Sequence, residues 1–403
     1  MKYVVILGDG MPDYPLEKLG GKTPLEYART PNMDRLAKCG EMGTVKSVPQ
    51  GMPAGSDVAN LSVMGYDPAI YYTGRSPIEA VAMGVEMADD DLAFRCNLVT
   101  LSDEEAYKSK SMLDYSSGEI STTEAQEIMN AVGKKLGSEI HNFYPGVSYR
   151  HLLVWRSGPV PEGFKMTPPH DISGKVITEY LPRGENSGLL LEFMEKSNAF
   201  LPEHTVNRER LARGLKPANS IWLWGEGRKP RLNSFREKYG LEGVVISAVD
   251  LIKGLGILSG LEAVDLPGAT GTITTDFRGK AQRALKELHN GNDFIFVHVE
   301  APDEAGHQGD IETKIKAIEE IDEKVVGEIL RGLEDFPEYR LMVLSDHPTP
   351  LSLRTHTAEP VPFCIYKKGA PLKNPQGQYS ESFAAKGIYI EKGHELMDYF
   401  LGQ

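Results

Sequence analysis

The sequence predicts an α/β protein: a largely parallel sheet built from both ends of the chain, interrupted by a separate α+β unit. Three observations carry this. Residues 1–7 form a short β-branched apolar run that stops at Gly8-Asp9-Gly10, as a buried strand does where it opens into a loop. Residues 294–299 and 341–344 repeat the pattern, ending at Glu300-Ala301-Pro302-Asp303 and Ser345-Asp346-His347. Between them Ile311, Ile315, Ile318, Ile321, Val325, Ile329 and Leu333 fall on one helical stripe. Strand, helix and strand in that order imply a parallel pair.

Other elements follow in turn. Thr30-Pro31, then Leu36, then Gly40 reads as a helix with Thr at the cap, Pro in the first turn and Gly at the exit. The middle of the chain changes character. Residues 120–136 and 187–199 look helical, and residues 151–155 and Val176-Ile177 look like strands, without metal-type pairs at their ends. This places an inserted α+β domain at 81–209, with 1–80 and 210–403 forming a discontinuous core. Residues 374–380 read as a loop without a motif.

Length and composition restrict the class of function. At 403 residues the chain exceeds one ordinary core. Its 40% hydrophobic and 25% charged residues are those of a soluble protein. No apolar run approaches the ~20 residues that span a bilayer, and the first seven residues are too short for a secretory apolar region. Three scattered cysteines, Cys39, Cys96 and Cys364, indicate neither a disulfide framework nor a thiolate zinc site. A cytoplasmic location is expected. A net charge of -13 argues against nucleic-acid or membrane partners. A small phosphorylated substrate remains compatible, because bound cations and a local Arg/Lys cluster can invert the potential of one cleft. Oligomeric state is not readable from the sequence.

The chemistry concentrates in Asp9, Asp303, His307, Asp346, His347 and His356, all at predicted strand ends or in the loops after them. A single Asp after a strand is usually a cap or turn residue, and a single His is usually a satisfied core or surface group. Six together are harder to dismiss. Carboxylate with imidazole suits manganese or zinc, and magnesium less well. Asp303 and His307 share a face if their segment is helical. Two divalent metals roughly 4 Å apart would clamp the attacking and leaving oxygens of an in-line displacement.

Ser56, in Pro53-Ala54-Gly55-Ser56-Asp57, opens an apolar helical stretch. A hydroxyl there meets unpaired N–H groups and the positive end of the helix dipole. No His lies nearby in sequence to act as base, which leaves metal coordination as the activator. Alone, the segment is an ordinary cap. Thr73 and Ser62 are rival hydroxyls in less favourable surroundings.

These segments together resemble the cofactor-independent phosphoglycerate mutases, in the archaeal-type branch of the alkaline phosphatase superfamily, over essentially the whole chain. The likeness rests on Leu7-Gly8-Asp9-Gly10-Met11 with Asp13, on Ala54-Gly55-Ser56-Asp57, on Met64-Gly65-Tyr66-Asp67-Pro68 and on Tyr72-Thr73-Gly74-Arg75-Ser76-Pro77. It continues through Phe94-Arg95-Cys96-Asn97, His170-Asp171-Ile172-Ser173-Gly174-Lys175 and Trp222-Leu223-Trp224-Gly225. Asp303-Glu304-Ala305-Gly306-His307, Ser345-Asp346-His347 and His356-Thr357-Ala358-Glu359-Pro360 complete it.

The resemblance implies an alkaline-phosphatase-like three-layer α/β/α core with an inserted α+β lid. It implies one metal held by Asp303, His307 and His356, and a second held by Asp9, Asp346, His347 and the Ser56 oxygen. Ser56 would take phosphate from 3-phosphoglycerate and return it to the 2-hydroxyl of glycerate, with no 2,3-bisphosphoglycerate cofactor and with the metals stabilising the transferring oxygens. The lid would keep glycerate in and water out while it turns. Arg75, Arg95, Arg150 and Lys175 are the expected anion-binding groups, with Asn97, His170 and Asp171 as partners and Lys280 from the core. A homoserine kinase-like enzyme, another phosphotransferase or a phosphatase would share these motifs. A kinase needs a nucleotide site, and neither a P-loop nor a convincing Gly-x-Gly-x-x-Gly is found.

Overall fold

Alternation along the strands decides the layering. In the strand Lys2–Gly8, Val4 and Ile6 enter one buried cluster with Ile295, Val297, Leu341 and Val343. Their neighbours point the opposite way: Tyr3 meets Phe400 edge-on at 5.8 Å, and Phe294 meets Phe235 at 4.7 Å. Both faces of the sheet are covered, and near-continuous apolar strands are what that burial requires. The fold is therefore the three-layer α/β/α arrangement. The computed structural model describes residues 1–160 and 163–402.

Two units emerge, Met1–Tyr72 with Arg231–Gln403, and Thr73–Pro230. The first holds an eight-stranded sheet in the order Ile388–Ile390, Glu41–Val45, Val361–Lys367, Tyr339–Leu344, Lys2–Gly8, Phe294–Val299, Gly243–Ile246, Glu262–Val264. Lys2–Gly8 lies in the middle, parallel to both Phe294–Val299 and Tyr339–Leu344. Val361–Lys367 runs antiparallel to its neighbours. Three adjacent parallel strands thus end side by side, and the residues just past those ends are Asp9, Glu300 and Ser345-Asp346. Ligands of open α/β sheets collect at such ends.

Two local details differ from expectation. The helical stripe over 311–333 is not one regular helix: Ile311–Glu320 and Gly327–Leu333 are joined by a π-helical turn, Ile321–Val326. Asp322 in that turn accepts from the backbone N–H groups of Met33 at 2.7 Å and Asn32 at 3.2 Å. It thereby satisfies the first turn of the helix Pro31–Cys39. Thr30, the expected cap, makes no capping bond. A distant carboxylate has taken over the work that sequence proximity assigned to it.

The second unit is a five-stranded antiparallel sheet: Met112–Asp114, Leu92–Leu101, Arg150–Trp155 and His141–Tyr144 in order, with Ser220–Arg228 also pairing Leu92–Leu101. The helices Thr122–Leu136 and Ser187–Phe200 contribute Ile128, Met129, Val132, Leu190 and Met194 to a core shared with Phe94 and Leu98. The unit reaches past the 81–209 limits read from sequence because Ser220–Arg228 belongs to its sheet and carries Trp222 and Trp224 into its core. Val176-Ile177 is not a strand. Val176 forms one isolated bridge with Ser111 and Ile177 begins a 3-10 turn, while Gly174 just before reverses the chain at φ 77°. Among the described residues no helix is long and apolar enough to cross a membrane.

Candidate metal centre

The first unit gathers six acidic and imidazole groups from four segments. Asp303 and His307 lie on the helix Ala301–Gln308, one turn apart, with Asp303 Oδ2 3.3 Å from His307 Nε2. His356 arrives from the loop before Val361–Lys367 and places Nε2 3.3 Å from Asp303 Oδ1 and 2.9 Å from His307 Nε2. Its ring stacks on that of His347 at 3.9 Å. His347 Nε2 then lies 3.4 Å from Asp346 Oδ2 and 3.7 Å from Asp9 Oδ1. Ser56, the first residue of the helix Ser56–Val63, sets its Oγ 3.0 Å from the same His347 Nε2. All seven residues expected at the centre are therefore in one cluster.

The donor set fits divalent cations on its own geometry. His307 Nδ1 faces the Arg354 carbonyl at 3.0 Å and His356 Nδ1 faces the Ala54 carbonyl at 3.2 Å. Carbonyls only accept, so both Nδ1 atoms carry protons and both Nε2 atoms converge beside Asp303, as donors to that carboxylate when the rings are charged and as lone pairs when they are neutral. Convergence of lone pairs is favourable only around a positive charge. Consistently, although burial opposes it, the bond to Asp303 raises the His307 pKa to about 9. Burial also pushes Asp303 upward, but hydrogen bonds from His307 and His356 outweigh it and hold the carboxyl well below its ordinary range. Asp9 behaves oppositely: burial, then Asp346, Asp303 and Glu300, drive it well above the ordinary range. Its Oδ1 is buried with no hydrogen-bond partner. A buried acceptor left open among like charges is what a cation would satisfy. Burial lowers the His347 pKa, which keeps the imidazole neutral and able to ligate.

Three contributors were not picked out from sequence. His298 is fully buried and its Nε2 lies 3.0 Å from Asp9 Oδ2. Asn60, one helical turn after Ser56, donates to Asp346 Oδ2 at 2.8 Å and to the Ser56 carbonyl at 2.9 Å. Thr349 donates to Asp303 Oδ1. A polar residue within the apolar run Phe-Ile-Phe-Val-His-Val was the available signal for His298, and the i+4 spacing was the signal for Asn60. Of the rival hydroxyls, Thr73 donates to the Arg228 carbonyl in the second unit, and Ser62 is buried six residues along the helix from Ser56.

The second unit brings most of the expected anion-binding residues together. Glu79 Oε1 accepts from Arg75 Nε at 2.7 Å and lies 3.2 Å from Arg95 Nη1. Burial raises the Glu79 pKa, but Arg95, Arg75 and Arg150 together lower it below the ordinary value. Arg95 is buried over the Trp224 ring at 4.7 Å, and burial brings its pKa down to about 10. Trp224 Nε1 donates to Asn97 Oδ1 at 3.0 Å and its ring meets His170 at 5.5 Å. Asp171 and Lys175 lie exposed beside His170, where Lys175 Nζ donates to the Asp171 carbonyl at 3.0 Å. Lys280 belongs to the first unit. It is fully buried, donates to the His298 carbonyl at 2.7 Å, and burial lowers its pKa to about 8.

Comparison with known proteins identifies the family. Residues 37–207 match the family described as 2,3-bisphosphoglycerate-independent phosphoglycerate mutase, and residues 205–352 match type I phosphodiesterase / nucleotide pyrophosphatase. A probable 2,3-bisphosphoglycerate-independent phosphoglycerate mutase of Geobacter sulfurreducens is 51% identical over 100% of both chains. The 2,3-bisphosphoglycerate-independent phosphoglycerate mutase of Methanothrix thermoacetophila is 50% identical over 98% of each. Among solved structures, the cofactor-independent phosphoglycerate mutase of Thermoplasma acidophilum superposes with a TM-score of 0.66 at 26% identity, covering 100% of this chain and 99% of that one. A Pyrococcus horikoshii protein superposes with a TM-score of 0.83 at 29% identity, covering 100% and 96%. With half of its residues identical across the full length of such relatives, this chain belongs to the 2,3-bisphosphoglycerate-independent phosphoglycerate mutases.

Proposed function

We propose that the protein interconverts 3-phosphoglycerate and 2-phosphoglycerate by way of a phosphoserine at Ser56, in a centre that takes two divalent cations. The observation that carries this reading is the Ser56 hydroxyl, presented at a helix start 3.0 Å from His347 within the carboxylate–imidazole cluster. Asp303, His307 and His356 would hold one cation, and Asp9, Asp346, His347 and the Ser56 oxygen the other. Bound there, divalent cations supply Lewis-acid charge that lowers the pKa of a neighbouring hydroxyl and neutralises phosphoryl oxygens.

The chain's own residues then divide the work. Asn60 ties the Ser56 carbonyl to Asp346, fixing the first helical turn and with it the direction of Oγ. Ser56 Oγ loses its proton and attacks phosphorus. The bond from phosphorus to the 3-oxygen of the substrate breaks, and that oxygen takes a proton to give glycerate. After glycerate turns, its 2-hydroxyl gives up a proton and attacks the phosphoserine, the bond from phosphorus to Ser56 Oγ breaks, and Oγ takes a proton to restore the hydroxyl. Arg75, Arg95 and Arg150 around the single carboxylate of Glu79 leave a surplus of positive charge, suited to the carboxylate and phosphate of phosphoglycerate. Asn97 and His170 reach that group through Trp224, and Asp171 and Lys175 are proposed as supporting contacts, whereas Lys280, fully buried on the His298 carbonyl, acts only through that backbone. A mutase must also hold glycerate and exclude water between the two transfers, and the inserted unit is proposed as the lid that does so. The reading places the enzyme in glycolysis or gluconeogenesis, in the cytoplasm.

The test is incubation with 3-phosphoglycerate and a coupled enolase readout, beside homoserine with ATP on the same preparation. Mutase turnover that vanishes on chelation and returns with manganese supports the proposal. Turnover that survives verified metal removal defeats the metal assignment. Transfer from ATP to homoserine without mutase activity would replace the function with the kinase alternative.

A further inference from the structure

We propose that His298 is a positioning residue, which holds one oxygen of the Asp9 carboxylate so that the other is presented to a divalent cation. The inference rests on the metal–serine reading above and adds a residue to it. His298 stands one residue before the end of the strand Phe294–Val299, opposite Leu7 in parallel register, and the Asp9 N–H continues that ladder to the Val299 carbonyl at 2.9 Å. The two side chains are therefore set by one stretch of sheet. Lys280, donating to the His298 carbonyl at 2.7 Å, pins the backbone at that position.

A chain of donors defines the imidazole. Ser247 Oγ accepts from the Val249 N–H at 3.0 Å and has its own proton free to donate to His298 Nδ1 at 3.1 Å, while the Asp9 carboxylate on the other side of the ring only accepts. Nδ1 is then the acceptor and Nε2 carries the proton, which it donates to Asp9 Oδ2 at 3.0 Å. Oδ2 is thus occupied. Oδ1 is buried with no partner and lies 3.7 Å from His347 Nε2, the atom that also faces Ser56 Oγ. Asp346 is oriented comparably, with Asn60 on Oδ2 and the Gly10 N–H on Oδ1 at 3.3 Å. Without the His298 bond the Asp9 carboxylate is free to rotate about its terminal torsion, and the open oxygen loses its aim.

The experiment is calorimetric titration of metal-stripped protein with manganese, resolving two binding events. His298→Leu should weaken one event by about 10–100-fold and leave the other within about twofold, the usual cost of losing an outer-shell partner. His298→Gln places an amide donor near the former Nε2 and should recover most of that loss. Ser247→Ala, which removes only the group that fixes the ring tautomer, should give a smaller loss at the same event. Equal affinities in wild type and His298→Leu overturn the proposal, as does a Gln variant no better than Leu. If His298→Leu fails to fold by circular dichroism, the Gln and Ser247→Ala affinities decide: an unchanged Ser247→Ala profile overturns it. Asp9→Asn and Asp303→Asn serve as separate controls. Each should abolish a different event, and if neither does, the metal reading itself has failed whatever His298 does.

Discussion

The two units solve opposite electrostatic problems. The Met1–Tyr72 and Arg231–Gln403 unit concentrates Asp9, Asp303 and Asp346 at the ends of parallel strands, where burial makes each unpaired charge costly. The Thr73–Pro230 unit concentrates Arg75, and Arg95 and Arg150 from its antiparallel sheet, about Glu79 of the helix Ser76–Ala82. On the proposed reading, one holds cations and the other holds the anionic substrate. The contrast teaches that the acidic net charge of the whole chain says little about its substrate, since the local balance differs in sign between units.

Four changes break or sharpen that comparison, in falling order of effect. Ser56→Ala should cut mutase turnover by about four orders of magnitude or more, the scale seen when a nucleophile that acts within a constellation is removed. Its melting temperature and its manganese binding at the Asp303 side should stay close to wild type; substantial remaining turnover would refute the nucleophile assignment. Arg95→Met strikes the other unit. Losing a charge-assisted contact should lower kcat/KM by about 10–100-fold, chiefly through KM, while manganese affinity is unchanged. A weakened manganese titration in that variant would contradict the division of labour.

Acid should distinguish the units next. Burial, with help from Arg150, lowers the His151 pKa to about 3 from the ordinary 6.5. The folded state therefore favours the neutral ring. The stability this represents is present above pH 6.5 and is lost as pH falls from there toward 3, by up to about 1.4 kcal/mol per pH unit. All three tryptophans, Trp155, Trp222 and Trp224, lie in the inserted unit, so their fluorescence follows that unit during urea unfolding. The midpoint should fall between pH 7 and pH 5 in wild type and fall less in His151→Gln. Equal slopes in the two proteins would remove His151 as the cause. The smallest effect belongs to the core: Asp322→Ala should cost about 1–2 kcal/mol by uncapping the helix Pro31–Cys39, read as a fall in the thermal midpoint.

What the sequence determined by itself was the chemistry carried in local pattern. Apolar runs ending at Asp9, Asp303 and Asp346-His347 marked both the strands and the acidic ends they present, because a buried strand and its exit loop are contiguous in the chain. Helical spacing likewise put Asp303 and His307 on one face. Tertiary structure decided the contacts made at long range. Asp322 caps a helix 290 positions away, His298 buttresses Asp9 across 289, and Ser56 finds His347 across 291. It also decided that Ser220–Arg228 completes the inserted sheet and that Val176 forms only a bridge. Periodicity reports which face of an element is buried, whereas hydrogen-bond partners across a sheet are fixed only when the strands choose their neighbours.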